Sequence, residues 1–152
     1  MRARTMAENL PTVRLDDDAL HAATMIGKQR LPGVVVVDAA SGRPVAVLPG
    51  SQVLRFLVPH YVQEDPSLAA VFDERTADAC AARLSGQTVR DLLPPPEKRT
   101  ELARVDGDAT VIECAAVMAR LRSPLVVVAD GDTVHGVLTA SHLLEILLPS
   151  AD

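Results

Sequence analysis

Aromatic residues are almost missing from this chain: one tyrosine, two phenylalanines and no tryptophan in 152 residues. Any core must therefore be built from Val, Leu, Ala, Ile and Met, and such side chains suit thin layers of strand and helix. Cysteine is equally scarce. Cys80 and Cys114 stand far apart with no C-x-x-C pair, which removes a zinc ribbon and a thioredoxin-like redox motif and leaves two free thiols of a reducing compartment. Basic runs are absent too. Lys and Arg total 15 against 20 acidic residues, a net charge of -5, and they are scattered, so no nucleic-acid footprint is expected. No apolar run nears the ~18–20 residues of a membrane span, and Met1 to Leu10 lacks a signal-peptide core. A cytoplasmic protein with no membrane partner is expected.

Chemical motifs are missing as well. There is no Walker loop, G-x-S-x-G elbow or dinucleotide glycine loop. His21, His60, His135 and His142 lack metalloprotease spacing. The runs Asp16-Asp17-Asp18 and Asp130-Gly131-Asp132 lack the closing Glu of a calcium loop and read as cap and turn residues. No catalytic residue, no metal ligand and no obligatory cofactor is expected.

What the chain does contain is one unit written twice. Residues 46–59, AVLPGSQVLRFLVP, align without a gap to residues 136–149, GVLTASHLLEILLP. Upstream, Val34–Asp38 (VVVVD) matches Val126–Asp130 (VVVAD), Pro32 matches Pro124, and the turn that follows is two residues longer in the first copy. Further upstream, Leu15–Ala19 is matched to Val105–Ala109.

Each copy reads β-α-β-β-α. In the first, Thr12 to Leu15 is a strand. Asp18 opens a helix to about Gln29 that carries Leu20, Ala23 and Ile26 on one face. The valines of 33–38 form a buried strand and 44–48 returns as a hairpin. A helix from Ser51 then ends before Pro59. In the second copy, 103–105 is a strand and Asp108 caps a helix to about Leu121. The hairpin 125–129/133–138 follows, then a closing helix from Ser141 to Leu148. One copy of this size buries little surface, whereas two packed sheet against sheet share a core. The expected organisation is residues 1–60 as the first repeat, 61–100 as a helical linker with a proline-rich connection, and 101–152 as the second repeat. Within the linker a single helix is expected over Pro66–Leu84, with Leu68, Val71, Phe72, Ala79 and Leu84 as its stripe. Residues 89–93 read as a docking segment and Pro94-Pro95-Pro96 as a stiff extended piece.

Ser123-Pro124-Leu125-Val126-Val127-Val128-Ala129-Asp130 and Gly136-Val137-Leu138-Thr139-Ala140-Ser141-His142-Leu143 carry a resemblance to the CBS domain family, in its tandem form, the Bateman module. The family pattern is a hydrophobic strand ending in Asp, a glycine-containing turn, then Gly, two aliphatics, Thr, two variable residues and Asp. Thr110-Val111, Cys114-Ala115 and Val117-Met118 also look like the family's first helix. The resemblance implies an α/β (α+β) fold of two pseudo-two-fold-related repeats with an extra helix between them. It also implies a regulatory rather than enzymatic role: an adenosine-containing ligand (AMP, ATP or S-adenosylmethionine) in a cleft between repeats, with occupancy relayed to a separate regulated protein. The ligand-binding residues it implies are Ser123, Pro124, Leu125, Thr139, Ser141 and His142 from the second copy, and Gly33, Val34, Ser51 and Gln52 from the first.

The chain departs from the family where the family Asp would clamp ribose hydroxyls. His142 stands there in one copy and Gln52 in the other, and Pro49 replaces the Thr. The cleft at Thr139, Ser141 and His142 is therefore the expected site. Beside these assignments stand plain ones: Ser51 and Ser141 as helix caps, Thr139 as a strand-end hydroxyl bonded to backbone, His142 as a surface histidine. A degenerate pair that mediates interactions without nucleotide is the alternative function. The closing helix is apolar on more than one face, which implies a homodimer or packing against the Pro66–Leu84 helix.

Overall fold

The structure, a computed structural model, describes residues 1–150. The chain runs α1 (Ala3–Met6), β1 (Thr12–Arg14), α2 (Ala19–Lys28), β2 (Gly33–Val37), β3 (Pro44–Pro49), α3 (Gly50–Leu57), α4 (His60–Glu64), a 3-10 turn (Pro66–Val71), α5 (Glu74–Ala82) and α6 (Val89–Leu92). A second 3-10 turn (Pro96–Lys98) leads to β4 (Arg104–Val105), α7 (Val111–Leu121), β5 (Leu125–Asp130), β6 (Thr133–Thr139) and α8 (Ala140–Leu147). Two three-stranded sheets result, ordered β1-β2-β3 and β4-β5-β6, each with a parallel first pair and an antiparallel second pair. The expected α/β fold of paired β-α-β-β-α units is what forms.

The valine runs explain the layering. Alternate side chains of a strand face opposite ways. Val34 and Val36 enter the helix-side core of the first repeat, and Val126 and Val128 that of the second. The residues between them, Val35 with Leu125, Val127 and Ala129, meet in a third cluster between the sheets. Both faces of β2 and β5 are thus covered, which is why these strands are continuously apolar.

Five details differ from the sequence reading. The strand registers pair Val13 with Val36 and Val105 with Val128, so Val13, not Leu15, is the counterpart of Val105. Helix α2 buries Ala19, Ala22 and Ile26, whereas Leu20 is 49% exposed, one ~100° step round the helix from Ala19. Thr110 rather than Asp108 caps α7, accepting from the Glu113 N–H at 3.2 Å. Ser51 and Ser141 cap nothing: the cap positions are Pro49 and Thr139, and Thr139 Oγ accepts from the His142 N–H at 3.2 Å. Finally, the linker is not one helix. Asp73 accepts from the Arg75 and Thr76 N–H groups and starts α5 afresh, because a capping carboxylate competes with helix continuation. Val71 is left 86% exposed, and Leu84 alone of the expected stripe reaches the core.

The one-turn leader helices pack crosswise. Val89 and Leu92 of α6 join the first repeat's core, and Ala3 and Met6 of α1 join the second's. Equivalent bonds hold them: Val89 N–H to Asp17 O and Arg90 N–H to Leu15 O on one side, Ala3 N–H to Ala109 O and Arg4 N–H to Gly107 O on the other. From leader helix to strand the chain crosses residues 7–11 before β1 but 93–103 before β4.

Candidate functional site

That difference in connection length decides where the molecule opens. Two equivalent crevices lie where a leader's exit passes the hairpin strand and the start of the closing helix. In the second repeat the residue after the α1 cap is Glu8, and its backbone pairs with Val137 of β6 (N–H to O 2.8 and 2.9 Å). In the first repeat the equivalent residue is Pro94, which has no N–H to give Val47 of β3. The longer segment swings away instead and leaves a cavity of about 270 Å³, near the lower end of the ~300–1,000 Å³ common for small-molecule sites.

Its walls are apolar at Ala46, Val47, Pro49, Leu93 and Leu102, and cationic at Arg55, Lys98, Arg99 and Arg122. Glu101 is the one carboxylate among the lining residues, and it sits 3.2 Å from the Arg120 guanidinium. A chain of net charge -5 thus gathers four cations against one anion around one opening, a field that attracts an anionic ligand. Arg122 is held there by backbone geometry. It occupies the left-handed residue that ends α7 (φ 51°), with the Ser123 N–H bonded to Met118 O behind it. Arg99 is fixed by its Nε–H, which donates to Pro94 O at 2.9 Å.

The residues nominated from sequence divide between places. Gln52, Ser123 and Pro124 line the open cavity, and Ser51 lies exposed in an adjoining groove with Pro32 and Pro124. Thr139, Ser141 and His142 sit together at the other crevice, where Thr139 Oγ and Ser141 Oγ are 3.2 Å apart. Gly33, Val34 and Leu125 are buried in the packed strands. The two side chains at the ribose-clamp position are already engaged by the leaders: Gln52 Nε2 donates to Leu92 O at 3.0 Å, and His142 Nδ1 lies 3.0 Å from Glu8 Oε1. Neither is a carboxylate, and both tether the chain to itself.

The cationic set escaped the sequence reading. Lys98-Arg99, one residue after three prolines, was a signal available there. Arg55 and Arg122 reach the same opening only through the crosswise packing. Among the described residues no group of three His, Cys, Asp or Glu is placed to hold a metal ion, and no helix is long and apolar enough to cross a membrane.

A family model described as "CBS domain" matches residues 89–149, beginning at α6. Among solved structures, a CBS domain-containing protein of unknown function from Kribbella flavida is 52% identical, with a TM-score of 0.80, covering 97% of this chain and 98% of that one. The CBS domain of a CBS domain-containing membrane protein from Sphaerobacter thermophilus is 21% identical (TM-score 0.69, coverage 97% and 88%). CBSX2, solved in complex with AMP, is 16% identical (TM-score 0.65, coverage 95% and 94%). No curated protein matches.

Proposed function

The chain belongs to the CBS domain family, and from that premise we propose that it is a regulatory pair that binds one phosphate-bearing adenosine ligand in the cavity beside Pro94 and passes its occupancy to a separate protein. The observation that carries this is the placement of Arg55, Lys98, Arg99 and Arg122 around an apolar-walled opening. Apolar walls suit a purine and clustered cations suit phosphate. That CBSX2, which shares the fold, is a complex with AMP supports the ligand class. The reading reverses the order expected from sequence, where the His142 crevice ranked first. Ligand binding there meets a backbone already paired to Glu8.

Part of the same proposal is a homodimer through the closing helices, whose Leu54 and Leu144 are 60% and 52% exposed, with Leu148 just past α8 61% exposed. The role is regulatory rather than catalytic, and cytoplasmic, in keeping with the free Cys80 and Cys114.

Calorimetric titration with ATP, AMP and S-adenosylmethionine tests the reading. The expected result is one site per chain, with ATP the tightest because it brings the most negative charge. Absence of heat and of thermal shift with all three would overturn it. A second reading, an interaction module without nucleotide, is favoured by one observation: the clamp-position side chains Gln52 and His142 are engaged with Leu92 and Glu8.

A further inference from the structure

The N-terminus is fastened across the second crevice more firmly than a leader helix requires. Beyond the two Glu8–Val137 backbone bonds, the Glu8 carboxylate reaches His142, and the Arg4 guanidinium lies 3.0 Å from Asp130 and 3.6 Å from Asp108. A glycine admits the strap: a Cβ on Gly136 would stand 2.6 Å from the Glu8 carbonyl oxygen. Its counterpart in the first repeat is Ala46, which carries a side chain. Backbone, side chains and cleared space all serve one placement.

We propose that residues 2–9 form a resident occupant of the second crevice, an intramolecular strap that leaves this chain with a single open site. A nucleoside gains the second site only when the strap lifts. The inference rests on reading the first cleft as a ligand site, but it makes its own claim about the second. Beside the strap, at the start of α8, stand the hydroxyls of Thr139 and Ser141, 3.2 Å apart, with Ser141 exposed, which a sugar can bond. The charge there is less positive: Glu145 stands where the open cleft has Arg55, Glu8 where it has Pro94, and of the open cleft's cations only Arg122 has a cationic counterpart named by the repeat, Arg30. An uncharged nucleoside suits this place and a polyphosphate does not.

The test is to lift the strap and count sites with adenosine and with ATP. Glu8→Pro copies the residue that keeps the first cleft open. It removes the N–H that pairs with Val137, and Ala7 before it already has the backbone (φ -63°, ψ 140°) that a following proline demands. Gly136→Ala, which pushes a methyl into Glu8 O, is the second variant; it also strains a residue at φ 147°. Hydrogen exchange at the Val137 amide and acylation of His142 by diethyl pyrocarbonate report strap release without any ligand. In the wild type we expect a protected Val137 amide and one site per chain. In Glu8→Pro we expect lost protection, a more reactive His142, and adenosine stoichiometry rising from one to two with ATP remaining at one. Two adenosine sites in the wild type would overturn the strap, as would a variant with an unprotected Val137 amide and no added adenosine. If the wild type binds neither probe while Glu8→Pro gains an adenosine site, the open-cleft reading falls and the strap stands.

Discussion

Asp130 Oδ2 lies 2.8 Å from His135 Nε2, at the point where the N-terminal segment is tied to the second repeat. The same carboxylate accepts from the Gly107 N–H at 3.1 Å and from Arg4 at 3.0 Å. The His135 hydrogen bond first, then the Gly107 N–H and Arg4, hold its pKa down, to about 2.

A pH prediction follows from that depression. A carboxyl whose folded pKa lies below its unfolded value, ~3.9, binds protons more readily when unfolded. Its stabilising effect is complete above that unfolded value and fades as pH falls toward about 2. The difference in melting temperature between wild type and Asp130→Asn should hold steady at neutral and mildly acidic pH and shrink in the acid range. Thermal melts across that range check this, and a difference that ignores pH would contradict it.

The layer between the sheets joins the repeats into one unit. Leu125 is fully buried there beside Val35 and Val137. Leu125→Ala should cost about 2–5 kcal/mol, as leucine truncations in packed cores do, and should lower the midpoint of a single transition for the whole chain. Urea unfolding followed by two probes reads this out; two separate transitions would mean that the repeats fold independently.

The two thiols should differ sharply. Cys114 is buried in the second repeat's core, where loss of solvent and then the charge of Glu113 push its pKa up. Cys80, on α5, is partly open. Ellman's reagent should therefore titrate one thiol per native chain and two after denaturation. Mass mapping should place the first label on Cys80.

Leu54 and Leu144 are the fifth residues of α3 and α8, equivalent in the two repeats, and both face solvent. If the closing helices pair two chains, Leu54→Glu with Leu144→Glu should halve the mass seen by sedimentation while leaving the circular dichroism spectrum unchanged. A wild type that sediments as a monomer would refute the dimer directly.

The contrast between strand and site shows what could be read before any coordinates. The valine runs announced β2 and β5 because their alternate side chains serve two cores at once, and a local pattern carries that information. The repeat in 46–59 and 136–149 announced the hairpin and closing helix for the same reason. Leu20 was misplaced because the buried arc of α2 is fixed by what packs on it, not by its most hydrophobic member. The cleft was the least legible part. Whether a crevice is open depends on Glu8 pairing with Val137 while Pro94 cannot pair with Val47, contacts spanning more than forty residues that no window of sequence contains. The crosswise docking of α1 and α6 was hidden in the same way.

Arg30 and Arg122 offer a final test because they share a strain and differ in surroundings. Both end a helix in the left-handed region, at φ 53° and 51°, where glycine is the usual residue. Holding an ordinary side chain there costs on the order of 1–2 kcal/mol. Replacing either by glycine should recover part of that, less the greater chain entropy glycine loses on folding, so stability should rise or hold in both variants. Only Arg122 lines the open cleft. If it meets a phosphate there, Arg122→Gly should weaken ATP binding by about 1.5–3 kcal/mol, the range for a hydrogen bond to a charged group, while Arg30→Gly should leave binding unchanged. Paired melts and titrations of the two variants separate backbone strain from ligand contact. Equal loss of binding in both, or in neither, would place the phosphate somewhere other than beside Arg122.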